Sequence, residues 1–213
     1  MEGFDRYMNS GTKKNRDFTF DQKEPDNIVT LDISSVKNLQ IGYQSETIFL
    51  KAGDDDQLVI KEYIAGLSGT EYYAKVASNR FKTTIRYGRR EEVNTRTFVE
   101  VFLPHSWHGE LQLSTLYGCI STEEDWKFER LEVQANEGSV LLRSIEAPRI
   151  RIVTATSPVY IEKTVGFTDI HTVSGIIRAD SITGGAKLAT SDAPIFASFE
   201  SINNIIEIGR AHV

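Results

Sequence analysis

The sequence predicts an all-β protein wound as a parallel β-solenoid, with about five regular coils of 18–20 residues behind a less regular β cap at the N-terminal end. Three observations carry this. A block of about a dozen residues recurs five times between Leu111 and Ala197: LQLSTLYGCIST from 111, LEVQANEGSVLL from 131, IRIVTATSPVYI from 150, TDIHTVSGIIRA from 168 and AKLATSDAPIFA from 186. The starts lie 20, 19, 18 and 18 residues apart, a period at which each unit is too small to bury its own apolar face and has to stack on its neighbours. No segment holds a 3.6-residue apolar period with caps, so helix content should be very low.

Residues 1–26 are polar, end near Pro25 and read as a poorly ordered arm. The remainder, 27–213, reads as a single β domain: cap and first coils over 27–110, regular coils over 111–203 and an incomplete last coil over 204–213. In the cap, IVTLDI (28–33), VKNLQI (36–41), ETIFLK (46–51), QLVIKE (57–62), RFKTTIR (80–86) and TRTFVEVFL (95–103) are short and rich in β-branched and aromatic residues. Turn sequences separate them, and the aspartates after Gly53 read as a hydrophilic hairpin turn rather than a spaced calcium loop.

Within the blocks each column has one character. The third position is Leu113, Val133, Ile152, Ile170 and Leu188, and the tenth is Ile120, Val140, Val159, Ile177 and Ile195. Both should form inward aliphatic ladders. The fifth, Thr115, Ala135, Thr154, Thr172 and Thr190, shares parity with the third and should also point inward, its hydroxyls bonding neighbouring coils or backbone carbonyls. The eighth, Gly118, Gly138, Ser157, Gly175 and Ala193, marks a corner that demands positive φ or close backbone approach. Prolines after Ser157 and Ala193 make those corners rigid. The connectors retain Trp126 and Phe128, Ile145, Val165 and Phe167, Ile182, and Phe199 with Ile202, which should close the third side of each coil. An 18-residue step places a sixth block at Asn204, with Ile206 and Ile208 on its third and fifth positions. That open coil is an edge that either docks on a second copy, making a homo-oligomer, or is continued by further chain in the natural protein.

The net charge of −6 and pI of 5.3 exclude a phosphate-backbone binder. Arg86, Arg89 and Arg90 with Lys82 are followed by Glu91 and Glu92 and read as a solvated strand end and turn. The single Cys119 excludes an intrachain disulfide and a thiolate metal cluster and should face outward or partly so. No apolar run approaches the ~20 residues of a membrane-spanning helix, and none has signal-peptide length.

His105 and His108 are the best metal candidates, but a His-x-x-His with no third ligand in register reads as a loop. His171 lies outward beside Ile170 and His212 in the tail, so neither completes a site. A polysaccharide lyase or hydrolase needs carboxylates converging from adjacent coils, whereas Glu132, Asp169 and Asp192 are read as occupying different coil positions. The sequence therefore nominates no catalytic, cofactor-binding or metal-binding residue and no cofactor, and it points away from an enzyme. Tyr72, Tyr73, Tyr87, Trp107, Tyr117 and Tyr160 should be exposed, and clustering among them would favour glycan or protein binding.

The apolar-x-apolar-x-Thr-x-x-Gly-x-Ile pattern following Phe102-Leu103-Pro104 resembles a bacterial family of uncharacterised proteins described as a β-strand-repeat "putative adhesin" domain. LVIKEYIA (58–65), YYAKV (72–76), TTIRYGRR (83–90) and VEVFLP (99–104) resemble its Gram-positive variant, so the similarity runs from about Ile28 to Ala197. The resemblance implies a β-solenoid associated with the cell envelope or surface. It also implies a non-enzymatic binding or scaffold role with a protein or cell-wall glycan partner, and it brings no catalytic residues. The alternative is a polysaccharide-active β-helix enzyme.

Overall fold

The computed structural model describes residues 24–54, 56–64, 67, 69–89, 97–202 and 205–210. Most of the expected N-terminal arm, Asp55, Arg90 with Glu91 and Glu92, Asn204 and His212 lie outside the described residues. Among the described residues there is no helix, and sixteen strands join in one hydrogen-bonded sheet that winds into a solenoid.

Two sides make up the coil. One is built of β2 (Asn38–Gly42), β6 (Lys82–Arg86), β8 (Glu110–Thr115), β10 (Arg130–Ala135), the second halves of β11 (Val140–Thr154) and β12 (Val159–Thr172), β14 (Ala186–Thr190) and β16 (Ile206–Arg210). The other holds β3 (Thr47–Gly53), β7 (Phe98–Pro104), β9 (Ile120–Lys127), the first halves of β11 and β12, β13 (Ile177–Thr183) and β15 (Ile195–Ser201). All these pairs are parallel. Beyond β7 the second side is finished by antiparallel β4 (Gln57–Tyr63) and β1 (Asn27–Asp32), and beyond β6 the first side by antiparallel β5 (Lys75–Ser78).

The aliphatic columns are internal. Leu113, Val133, Ile152, Ile170 and Leu188 pair in direct register and are buried, and the row continues through Ile41 to Ile85. On the opposite side Ile120, Val140, Val159 and Ile177 pair likewise, continuing to Ile48 and Val99. These rows form one dry interior shared by all rungs. They are where apolar burial, about 25 cal/mol per Å², acts.

Threonine hydroxyls serve the tight corner between the sides. The Thr172 hydroxyl accepts the Gly175 amide (2.8 Å) and donates to Ala155 O (3.2 Å) on the preceding rung; Thr190 repeats the arrangement with Ala193 N (3.2 Å) and Val173 O (3.4 Å). Thr115 does so with Gly118 N and Glu46 O, and Thr154 donates to Ser157 O. The eighth column is small chiefly because backbones stack there. A Cβ on Gly118 or Gly175 would fall 2.0 Å from the carbonyl oxygen of Glu46 or Ser157. Positive φ is found only at Gly138 in this column, on the rung where Ala135 supplies no hydroxyl.

Three expectations are corrected, and the cap, irregular as expected, has its rungs out of chain order: the β2–β3 rung lies between the β6–β7 rung and the β8–β9 rung. The chain leaves it, builds the outer rung, and returns across it through residues 105–109, fastened by Trp107 Nε1 to Val36 O (2.8 Å) and Glu110 N to Lys37 O (2.8 Å). The aspartates after Gly53 consequently do not make a hairpin, because β7 pairs between β3 and β4. The connectors form no separate third side but extend the second, where the inward residue beside Ile145 and Ile182 is Thr164, not Val165 or Phe167, and Ile202 is exposed. The register shift between Glu146 and Arg149 turns the strand, and Thr168 Oγ1 donates to Thr164 Oγ1 (3.0 Å), so both hydroxyls are buried as a pair. Finally, Ile206 pairs with Ala186 and Ile208 with Leu188, the first and third positions, because pairing begins two residues later than an 18-residue step requires. Ile208, on this last rung, is 55 % exposed.

Candidate functional site

Most charged and aromatic groups are structural fastenings; others line a groove on the first side and a second, of about 430 Å³, on the other side beside Phe49, Lys51, Ser121, Glu123 and Glu124. Glu132, Arg151, Asp169, Lys187 and Glu207 stand in register on the outer face of the first side. Glu132 and Asp169 thus share one column, contrary to the sequence reading, but Arg151 separates them. Alternating signs make this a cross-strand charge ladder, each pair worth about 0.2–1 kcal/mol. Lys187 Nζ is 3.3 Å from Glu207, Arg130 3.3 Å from Glu132, and Asp169 Oδ1 2.8 Å from His171 Nε2. Asp192 is exposed at a corner.

Three buried carboxylates escaped the sequence reading. Glu46 accepts the Gln44 and Ser45 amides at the first corner. Glu62 accepts Asn27 Nδ2 (2.6 Å) and the Ala74 amide (2.8 Å), tying β1 and the 69–74 turn to β4. Glu100 takes Lys51 Nζ (2.6 Å) and the Tyr63 hydroxyl (2.9 Å). Burial, together with the Glu100 carboxylate, pushes the Tyr63 phenol up to about 12. On the edge strand β1, Asp32 is held below the usual carboxylate range by the Ser34 amide. The inward parity of Glu62 with Leu58 and Ile60 was the one available signal.

His105, His108 and Cys119 are packing elements. His105 stands edge-on to Trp126, which stacks on Phe128, and Trp107 meets Phe128. Trp107 is buried rather than exposed, because it roofs the returning chain. His108 Nδ1 lies 3.0 Å from Lys127 O. The Cys119 thiol is half-buried and accepts from Ser139 Oγ (3.3 Å). No group of three or more His, Cys, Asp or Glu able to hold a metal occurs among the described residues.

The groove, of about 340 Å³, opens on the outer face of the first side across β6, β2, β8 and β10. Thr84, Gln40 and Gln112 form one row across the strands, with Thr84 Oγ1 donating to Gln40 Oε1 (3.4 Å). Arg86, Gly42, Ser114 and Gln134 form the next. Tyr87, Tyr43, Leu116 and Asn136 close the corner end. Tyr87 is half-buried against the core, and of the other expected surface aromatics Tyr72, Tyr73 and Tyr160 are half-buried and Tyr117 is exposed. The lining holds amides, hydroxyls, one guanidinium and no carboxylate.

The family model described as Toastrack DUF4097 matches residues 36–211. This chain belongs to the Toastrack DUF4097 family. The match spans the inner cap rung, the outer one and every regular coil, and bears out the adhesin-like family of unknown function that the repeat pattern resembles. A "putative cell adhesion protein" from Clostridium sporogenes is similar at 9% identity and TM-score 0.34, covering 86% of this chain and 98% of that one. A "putative adhesin" from Bacteroides fragilis is similar at 10% identity and TM-score 0.32, covering 88% of this chain and 100% of that one. No curated protein matches. Among the described residues of the Toastrack chain, no helix is long and apolar enough to cross a membrane.

Proposed function

We propose that this Toastrack protein is a non-enzymatic, adhesin-like binding module associated with the bacterial cell envelope, and that it binds through the groove across β6, β2, β8 and β10. The observation that carries the reading is the lining of that groove. Hydrogen-bonding side chains from four parallel strands converge on a surface of about 340 Å³, a size at the lower end of small-ligand sites. Glycoside cleavage uses two carboxylates flanking the scissile bond, and the groove supplies none. Elsewhere on that face the acidic column is interrupted by Arg151 and Lys187. The strands that carry the groove are locked into the sheet, so the binding groups are pre-organised and little ordering is lost on association.

The test is a cell-wall and glycan binding array probed with the purified chain and with the Gln40→Ala/Gln112→Ala double variant. Retention of the wild type that the double variant loses supports the reading. Release of new reducing ends from any polysaccharide on the array would overturn it in favour of an enzyme. Envelope association is read separately by cell fractionation, where recovery with the wall or membrane fraction is expected.

A further inference from the structure

Gly42 lines the groove between Arg86 and Ser114, where neither its backbone conformation nor a neighbouring backbone requires a glycine. It is the last residue of β2, its φ is not in the left-handed region, and a Cβ there would meet only the Ser114 hydroxyl, 2.8 Å away at the end of a side chain that can rotate. At Gly118, Gly138 and Gly175, by contrast, the added atom would strike a backbone carbonyl oxygen of the adjoining rung at 2.0–2.3 Å. A glycine that neither a positive φ nor a neighbouring backbone demands leaves room for close approach of something else.

Its neighbours say what that is. Gly42 interrupts an outward row between Arg86 and Ser114, leaving a notch alongside the Thr84–Gln40–Gln112 row. The side chains of Gln112, Ser114 and Asn136 make no hydrogen bond with other described residues. Each glutamine or asparagine amide offers two donors and an acceptor, and each hydroxyl offers one donor and two acceptors. That set matches a ligand dense in hydroxyls and acetamido groups. Half-buried Tyr87 adds an apolar ring face at one end. A peptide strand fits worse. The main-chain groups of these strands are consumed by pairing with β6, β2, β8 and β10, so no sheet edge is offered for strand addition. Strands 4.7–4.9 Å apart present one amide or hydroxyl per step, a spacing close to the length of one pyranose residue in a linear chain.

We infer that the notch at Gly42 is the seat of a neutral, linear oligosaccharide lying across the strands, hydrogen-bonded by Gln40 and Gln112 on one flank and by Ser114 on the other. This rests on the binding reading above and names its ligand class. The experiment titrates the full chain, observed through its side-chain amide NMR signals, with three probes: neutral β-linked gluco-oligosaccharides, their N-acetylated counterparts, and an anionic uronic-acid oligomer. Gly42→Leu fills the notch while leaving every backbone contact in place, and circular dichroism with a melting curve confirms its fold. Gly42→Ala is the milder second variant if the leucine melts early.

The expected result is that one or both neutral probes shift the Gln40 and Gln112 signals, and that Gly42→Leu weakens binding at least about tenfold. Shifts confined to other glutamines or asparagines, undiminished binding by folded Gly42→Leu, or response to the uronic-acid oligomer alone would overturn the glycan assignment. If the array retains the wild type and Gly42→Leu equally, the glycan assignment falls and the binding reading stands. Silence on the array as well removes both.

Discussion

Replacing Thr172 by valine removes one hydroxyl from a site where the backbone depends on it. Thr172 is 6 % exposed, and its oxygen is the acceptor for the Gly175 amide at 2.8 Å. Valine keeps the shape but leaves that buried N–H without a partner, which costs about 1–3 kcal/mol. The Ala155 carbonyl loses a donor yet stays satisfied by the Val173 and Ser174 amides, both at 3.0 Å, so it adds little. Against this, one more buried methyl returns about 0.8 kcal/mol. The net expectation is destabilisation centred on about 1 kcal/mol and reaching about 2, or about 2–4 °C in melting temperature at the centre for a chain of this size. The assay is urea unfolding, in which the midpoint should fall with the slope unchanged. Thr30→Val, on the exposed face of edge strand β1, is the control and should stay within about 0.5 kcal/mol of wild type. A Thr172→Val protein as stable as that control would refute the claim that the threonine column holds the corner.

Three further outcomes follow from the same geometry. Ile170→Asp removes about 2–5 kcal/mol of packing and buries an unpaired charge in a row that is 0 % exposed there; loss of the soluble folded protein by circular dichroism is expected, and a folded variant would contradict the inward assignment. Gly175→Ala should lower the melting temperature sharply because its methyl meets Ser157 O at 2.0 Å, while Gly42→Ala should melt close to wild type; equal melting would show that the corner does not need close backbone approach. The Tyr63 phenol is raised in the folded state to about 12 from about 10 unfolded, so the stability it contributes is complete below pH 10 and is lost as pH rises through 12. Unfolding midpoints measured from pH 9 to 12 should therefore fall for the wild type, and Tyr63→Phe should flatten that fall.

The regular coils were legible because a solenoid writes the same instruction once per rung. Ile152 and Ile170 show their common destination by matching positions in successive blocks, and the structure pairs them directly. The threonine and small-residue columns were legible for the same reason. What escaped was whatever one block cannot encode. Nothing local to Asn38–Gly42 states that its neighbours are Lys82–Arg86 on one side and Glu110–Thr115 on the other, since parallel pairing leaves no turn to mark its partner. The groove inherits that obscurity: Gln40, Thr84 and Gln112 meet only after the returning chain has crossed an existing rung. Thr164 escaped because the inward alternation of Val159 and Ile161 slips by one residue before it, a change that a repeat alignment does not show.

Methyl–methyl NOE spectroscopy on a chain labelled at isoleucine, leucine and valine tests the wound, out-of-order stack most directly. Ile41 should show contacts both to Ile85 and to Leu113, with none between Ile85 and Leu113, and the row should then run Val133, Ile152, Ile170, Leu188 one rung at a time. A direct Ile85–Leu113 contact, with Ile41 outside them, would contradict the order of rungs. Absence of the Ile152–Ile170 contact would contradict the solenoid itself.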